Sequence, residues 1–528
     1  MKSIIQKSYD VVIIGAGPCG VSAANMLGQL GINTLIVDKE SDIVTHPRAV
    51  GMCEEGSRIM DSINVLDDQD LEFRLVNSIQ FQNRKNESVF HADTYKKKNG
   101  YSIIRTFHQP DLEMSLRKSL ERWDCVDLAV STELLEFNDL GHGIDITLKQ
   151  GDDIKIIRSR YLLACDGASS SIRQKLDIGY EGATYPQDWM ILDIENNPVN
   201  SSEIIFSINP ERPSVTLPGP GKKRRWEFVV KKEDDPDQLF SDDNLAKLLS
   251  NWGDVKDMEV SRKAVYTFHA RSADQYKKGN VFLMGDAAHI TPPFAGQGMM
   301  AGLRDAYNLC WKISAVLKKE LSPSILESYQ SERLPQCKQV IKFAQSMGTV
   351  ILPQNKNMAK TRDIIINLLG VLGVHSKTKG VPVDKIPNHI NGGYFKHLFT
   401  QKILKTGFEV PQYQLQKNDK EYLADKLLGS DFNLLGWGVN PETYLDTKTL
   451  ARWHSMSGKK ATFTDGISAS KDSDGRVLIN KGQEYKKLLA NGKRILVIRP
   501  DKMMVLNCSA KSLNRKLNKY MDQVGCTL

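Results

Sequence analysis

The opening forty residues constrain this chain more than anything that follows. Tyr9–Ile14 (YDVVII) is a short β-branched run, the pattern of a parallel strand buried on both faces. Gly15-Ala16-Gly17-Pro18-Cys19-Gly20 comes next, then a helical stretch, VSAANMLGQL, a turn at Gly31-Ile32-Asn33, and a second strand, TLIVDKE. This is a βαβ unit of about thirty residues. Gly15 permits the tight turn, Gly17 lets the backbone approach a pyrophosphate, and Gly20 lets helix and strand pack closely. The helix N-terminus offers free N–H groups and partial positive charge to the phosphates, with Pro18 in the same turn. Asp38 ends the second strand, eighteen residues beyond Gly20, where a carboxylate can accept from both hydroxyls of an adenosine ribose. Lys39 beside it completes that part of the candidate cofactor set. The unit binds a dinucleotide, but alone it does not separate FAD from NAD.

Val11–Val37 carries no charge and is long enough to suggest a membrane span, but five glycines, Pro18, Asn25 and Gln29 interrupt it. Neither a membrane span nor a signal peptide is expected. At 528 residues the chain exceeds one hydrophobic core, so two to four domains are expected. The net charge of +8 is spread through the sequence and reads as a lysine-rich solvated surface before it reads as steering of anions. Its basic clusters are short and lack interleaved aromatics, which argues against nucleic acid. None of the eight cysteines forms a CxxC, so reduced thiols and a cytoplasmic location are expected. No zinc-binding histidine helix and no GxSxG elbow occur, and no metal is expected.

The pattern beyond the first unit divides the chain. Strand and helix signals continue to a strand at 161–165. Residues 186–270 switch to short alternating segments broken by prolines, which predicts an antiparallel sheet. A buried strand at 281–284 and a long helix from about 298 to 318 follow, with apolar residues at three- and four-residue intervals. Residues 321–375 look helical, and the apolar stretch 364–374 is a core or subunit-contact candidate. A Lys/Pro/Gly/Asn-rich connector spans 376–395, and beyond about 405 a small α/β domain is expected. No second GxGxxG follows a strand. Gly219-Pro220-Gly221, followed by Lys222, Lys223, Arg224 and Arg225, reads first as a hairpin turn with solvated charges and second as an attractor of anionic NADPH.

Two further segments give the dinucleotide fold a family context. Residues 164–173 (ACDGASSSIR) and 281–309 (VFLMGDAAHITPPFAGQGMMAGLRDAYNL) resemble the flavin motifs of the class A FAD-dependent aromatic hydroxylases, the p-hydroxybenzoate hydroxylase fold. Pro47-Arg48-Ala49 and Gln109, in HQPDLE, also stand where that family places flavin contacts. The resemblance runs over most of the chain and includes LLGWGVNP and VIRPD near the C-terminus. It implies an α/β protein: a Rossmann-like FAD domain (1–185 and 271–345) with an inserted antiparallel substrate sheet (186–270), a helical connector (346–404) and a thioredoxin-like C-terminal domain (405–528). Trp437-Gly438-Val439-Asn440 stands where thioredoxin has its redox cysteines, so disulfide exchange is not expected there.

Physical logic supports the residue assignments. Asp286 follows a buried strand and can bond the ribityl hydroxyls, with Gly285 allowing close approach. Pro292 and Pro293 stiffen the loop facing the isoalloxazine ring. Gly296-Gln297-Gly298 opens the long helix, and the N–H groups of Met299 and Met300 would meet the N1/O2 edge, favouring the negative charge of reduced flavin. Asp166, Gly167 and Arg173, with Ser169 and Ser171, can bind phosphates, and Arg48 is placed to hold the pyrophosphate or the flavin. Asp305 and Asn308 read equally as cofactor contacts or as ordinary helix residues. His289 reads as packing beside the flavin, and His269 and Tyr266 read as core before substrate contact. No catalytic base is identified. The implied reaction is hydroxylation of a phenolic compound, such as a 3-(3-hydroxyphenyl)propionate-type acid, by O2 and NADPH or NADH through a flavin C4a-hydroperoxide. The alternative is modification or inactivation of a polycyclic antibiotic or polyketide. A homodimer is left open by the resemblance.

Overall fold

The computed structural model describes residues 5–352, 357, 361–362, 389–390, 406–465, 477–489 and 494–526. Ser8–Ile14 lies at the centre of an eight-stranded sheet, parallel to Thr34–Val37 on one side and to Asp153–Ala164 on the other. Val126–Ala129 extends the first side and Val281–Leu283 pairs in parallel with the end of Asp153–Ala164. Val11, Val12 and Ile13 are fully buried and Ile14 nearly so, which is why this strand carries four β-branched residues in a row instead of alternating with polar ones. Pro18–Gln29 and the long helix Gly298–Leu317 pack together over the sheet. Ile14, Val37, Ala164 and Leu283 all end at one edge of this sheet, and the loops that leave there hold most of the candidate residues. A crevice outside the carboxyl ends of parallel strands is where such sheets bind nucleotides.

A second eight-stranded sheet runs in the order His289–Ile290, Val260–Ala273, Tyr180–Ile194, Arg224–Val229, Ser214–Pro218, Glu203–Ser207, Ser78–Gln82, Ser88–Asp93. Every pairing is antiparallel except that of Glu203–Ser207 with Ser78–Gln82. The sheet therefore reaches beyond the 186–270 span read from the sequence. Its extra hairpin joins because Ile79, Phe81 and Phe90 bury with Ile204, Val215 and Trp189 in one apolar cluster. Local periodicity carries no information about that pairing.

Gly298–Leu317 is followed by a second long helix, Glu327–Ile351. The apolar 364–374 stretch and most of the 376–395 connector lie outside the described residues. The C-terminal part forms a seven-stranded mixed sheet in the order Lys420–Leu423, Gln414–Lys417, Val477–Ile479, Lys459–Thr464, Asn433–Trp437, Arg494–Ile498, Met504–Ser509. Thr447–Ser455 and Ala510–Gln523 pack near each other against it. One side of this sheet shares the core of the first, with Trp311 of the long helix edge-on to Phe432 at 5.4 Å. No described helix is long and apolar enough to cross a membrane.

Candidate functional site

The glycine turn has three different environments at its three glycines. Gly15 has φ +104°, and a Cβ there would lie 2.3 Å from the Cys165 carbonyl oxygen. A Cβ on Gly20 would lie 2.0 Å from the carbonyl oxygen of Gly15, so this glycine seats the helix on the turn. A Cβ on Gly17 would meet nothing within 4 Å. The turn is thus closed against protein at Gly15 and Gly20 and open at Gly17. Pro18 is at the first turn of its helix, and no side chain caps the N-terminal N–H groups.

Asp38 accepts from Ala16 N at 2.7 Å and from Glu40 N at 3.0 Å, which ties the second strand to the glycine turn while leaving acceptor capacity on the carboxylate. Lys39 beside it is exposed. Arg117, on Gln109–Ser119, donates to Ala16 O at 3.3 Å. The sequence reading did not single out this arginine.

Gln109 accepts from Arg48 N and Ala49 N, both at 2.7 Å, and donates to Glu113 at 2.6 Å. Its amide is spent on holding the 47–49 loop in place. The Arg48 side chain is exposed, with no hydrogen bond or ion pair among the described residues.

Asp166 closes the third loop. One carboxylate oxygen accepts from Ile172 N at 3.3 Å, and the other is buried with no partner. An orphaned buried acceptor is costly unless a ligand donates to it. Gly167 has φ +81° and lets the chain turn back over that carboxylate. Arg173 differs from its expected phosphate role. It donates to Ala287 O at 3.0 Å and Ala168 O at 2.9 Å and lies 3.8 Å over the Tyr180 ring, so it ties the 166–173 loop to the 285–289 loop.

The fourth loop starts at Gly285 (φ +56°), where a Cβ would press on Cys19 at 3.3 Å. Gly302 on the long helix makes room for the same cysteine. Asp286 is exposed and its carboxylate has no hydrogen bond or ion pair among the described residues. Pro292 precedes the short turn Pro293–Ala295, and Gly296 reverses the chain at φ +59°. Gln297 caps nothing with its side chain; it accepts from Arg304 at 3.0 Å, which is paired with Glu55. The first N–H groups of Gly298, Met299 and Met300 are left free, as at any uncapped helix start. Met300 turns inward: its sulfur would lie 2.3 Å from a Cβ on Gly56. Met299 is half-buried.

Asp305 is wholly buried and accepts from Gly285 N (3.0 Å), His289 Nε2 (2.6 Å) and Arg333 Nε (2.8 Å). It anchors the loop from beneath. Asn308 donates to Glu332 at 2.8 Å and belongs to a deeper charge network. Of the two readings open for these residues, the internal one is the observed one.

Phe294, within the Pro292–Gly296 turn, is packed against an aromatic wall. Phe294 is 5.3 Å from Tyr185, 6.0 Å from Trp189 and 6.0 Å from Phe268. Tyr185 is half-buried, its hydroxyl has no partner among the described residues, and burial raises its pKa. The sequence reading missed it, because nothing in spacing links residue 185 to residue 294. Tyr266 accepts from Arg262, and His269 meets Thr184 at 2.9 Å; neither is a fully buried core residue.

Open space at Gly17, the orphaned Asp166 oxygen, the free Asp286 carboxylate and two uncapped helix starts all fit a flavin dinucleotide. Comparisons with known proteins agree. The FAD binding domain family matches residues 8–344, and the HcaD C-terminal domain family matches 407–523. The chain is 30% identical to the 3-(3-hydroxy-phenyl)propionate/3-hydroxycinnamic acid hydroxylase of Klebsiella pneumoniae, over 98% of this chain and 95% of that one. The Escherichia coli K12 protein of the same name is 30% identical over 99% and 96%. Among solved structures, the flavin-dependent monooxygenase PieE, in complex with FAD and substrate, superposes with a TM-score of 0.80 at 17% identity, covering 99% of this chain and 100% of that one. Aklavinone-11 hydroxylase with FAD and aklavinone gives 0.76 at 18%, covering 98% and 100%.

Proposed function

Since the chain belongs to the FAD binding domain family, we propose that it is an FAD-dependent monooxygenase that hydroxylates a phenolic acid of the 3-(3-hydroxyphenyl)propionate type, with NAD(P)H and O2 as co-substrates. Full-length relatives at 30% identity favour this small substrate over a polycyclic one; the polycyclic compound of aklavinone-11 hydroxylase belongs to a neighbour that shares only the fold. One observation carries the reading: the glycine turn, open at Gly17, packs through Cys19 on Gly302 of the long helix, and Phe294, just before the start of that helix at Gly298, joins the aromatic wall of Tyr185, Trp189 and Phe268.

FAD, when bound, supplies the two-electron chemistry and the activation of oxygen. The chain's own residues do the rest. The helix start at Pro18 and the turn at Gly17 hold the pyrophosphate, Asp38 the adenosine ribose, and Asp286 the ribityl chain. Arg48, unpaired and exposed, is free to reach phosphate. The uncapped N-terminus of Gly298–Leu317 would favour negative charge on the reduced flavin. The aromatic wall excludes water from the oxygen-transfer region. Tyr185 keeps its proton because burial raises its pKa. It therefore donates a hydrogen bond to the substrate's phenolic oxygen and does not act as its base. The C-terminal mixed sheet, read as thioredoxin-like but without a thiol in Trp437–Asn440, has a structural or dimer-supporting role.

The test is a screen of hydroxylated aromatic acids on the FAD-loaded chain, following NAD(P)H consumption and product mass under labelled oxygen. A stimulated rate with one labelled oxygen atom in the product is expected. Saturating phenolic acids that yield only peroxide would sink the hydroxylase assignment.

A further inference from the structure

The Gly219–Lys223 turn closes a hairpin as its glycines predict, with Gly219 N donating to Lys223 O at 2.8 Å and Lys223 N to Pro220 O at 3.1 Å. Lys222 is exposed as expected, but the three cations that follow it are not simply solvated charges. Arg225 is 3% exposed and paired with Asp193. Lys223 is paired with Glu195. Arg224 is 2% exposed, and among the described residues it has no ion pair.

Its guanidinium is held by neutral groups instead: Thr216 Oγ1 at 2.7 Å, Ser201 O at 2.9 Å and Glu203 O at 3.0 Å. The rings of Trp226 and Trp252 lie 5.6 and 5.4 Å from it. Arg74 stands beside it, also without an ion pair, fixed by Gly221 O at 2.8 Å and Asn200 Oδ1 at 2.6 Å. Burial and the neighbouring Arg74 push the Arg224 pKa down to about 10. With exposed Lys222, and Lys223 already paired with Glu195, four cations face one carboxylate, Asp257, around a hollow of about 430 Å³. Asn197, on the same wall, has a buried side-chain oxygen with no partner, an acceptor open to a hydroxyl or amino donor and not to the anion itself. Cations fixed by neutral groups, with no counter-ion of their own, form a site prepared for an anion.

The hollow has a direction. A second one, of about 330 Å³, shares Lys223 and Arg224 with it and is walled on its other side by Thr45, His46 and Pro47, next to Arg48. The chain also has no second GxGxxG after a strand, so a reducing dinucleotide needs some other surface.

We propose that this cleft docks the reducing nicotinamide nucleotide, with its adenosine 2′-phosphate among Arg74, Lys222 and Arg224 and its nicotinamide end toward residues 45–48. The proposal rests on the monooxygenase reading above, and it selects NADPH over NADH.

The experiment uses the FAD-loaded chain and its Arg74→Gln and Lys222→Gln variants. Lys222 is exposed and makes no side-chain bond among the described residues, so its variant carries the test if Arg74→Gln fails to fold. Calorimetric titration with adenosine 2′,5′-bisphosphate needs no turnover. The parent should bind it at least about tenfold tighter than 5′-AMP, and each variant should lose about tenfold, the scale of one charge-assisted contact. KM for NADPH should rise by a similar factor, while KM for NADH, KM for the aromatic acid and FAD content stay within about twofold. Equal binding of bisphosphate and 5′-AMP, or variants that bind like the parent, overturns the proposal. A chain that oxidises NADPH with KM unchanged in both variants overturns the docking site alone. A chain that binds bisphosphate in the cleft but oxidises neither nucleotide overturns both the docking proposal and the monooxygenase reading.

Discussion

Arg499 donates through both terminal nitrogens to the two carboxylate oxygens of Glu332, at 2.8 and 3.1 Å, and neither side chain is more than 1% exposed. One residue lies just beyond a strand of the C-terminal sheet and the other on the helix Glu327–Ile351. Lys312 and Asn308 reach the same carboxylate at 2.8 Å each, and Asp501 pairs with the far side of Arg499. The C-terminal domain is thus fastened to the nucleotide-binding domain by a fully desolvated charge network. A second fastening pairs Arg58 with Asp425 and Glu409.

Arg499→Met should therefore destabilise strongly, since it strands Asp501 and half of Glu332's compensation in the interior. Removing one partner of a buried pair costs about 3–5 kcal/mol. Urea unfolding followed by tryptophan fluorescence measures it, and Trp311 lies against this network. A loss below about 1 kcal/mol would mean that the network is not closed to water.

Acid should expose the same network. Burial opposes the charge of Glu332, but Arg499 and Lys312 outweigh it and hold its pKa at about 2, below the ordinary 4.5. A depressed carboxyl stabilises the folded state fully above its unfolded pKa, and that contribution is lost as pH falls through the folded value. Between pH 4.5 and about 2, on the order of 3 kcal/mol should disappear. Stability of Glu332→Gln, measured by denaturant over that range, should show a correspondingly shallower acid limb; a limb parallel to the parent's would remove Glu332 as its source.

What could be read from the sequence follows from which interactions are local. The strand at Tyr9–Ile14, the glycine turn and Asp38 lie within one βαβ unit, and the helix expected from about 298 to 318 is found at Gly298–Leu317. Here periodicity and glycine turns act over a few residues, so the pattern carries the element. Pairing of 78–93 with strand Glu203–Ser207 depends on contacts more than a hundred residues apart and leaves no local trace. Arg173 and Asp305 show a different limit. The residue types that hold a phosphate or a ribityl chain also hold a loop, and only geometry reveals that Arg173 is spent on two carbonyls. For Arg224 and Arg225, a basic run after a Gly-Pro-Gly turn looks solvated until the sheet folds over it.

Gly15→Ala and Gly17→Ala should separate folding from flavin binding. At Gly15 a methyl group meets the Cys165 carbonyl oxygen at 2.3 Å on a backbone with φ +104°, so the turn itself must shift. At Gly17 the methyl enters open space with φ −76°, which any residue adopts. Gly15→Ala should lower both thermal stability and flavin content. Gly17→Ala should keep the unfolding midpoint of the flavin-free chain while flavin affinity falls on the order of tenfold or more. Equal flavin content in Gly17→Ala and the parent, by visible absorbance after gel filtration, would place the pyrophosphate elsewhere.

Tyr185→Phe tests the aromatic wall. The ring stays against Phe294, at 5.3 Å in the parent, and only the unpartnered hydroxyl is removed. Gly348 leaves room there, a Cβ on it lying 3.6 Å from that oxygen. If the hydroxyl steadies the substrate's phenolic oxygen, its loss should lower hydroxylation on the order of tenfold, the scale of one hydrogen bond to a charged oxygen. Flavin content and NAD(P)H oxidation should persist, so the missing product should appear as hydrogen peroxide. The ratio of hydroxylated product to NAD(P)H consumed is the decisive quantity, because a purely structural tyrosine would lower both together. An unchanged ratio would leave Tyr185 as packing and return the search for the substrate's partner to the polar face at Thr184 and His269, on the same two strands.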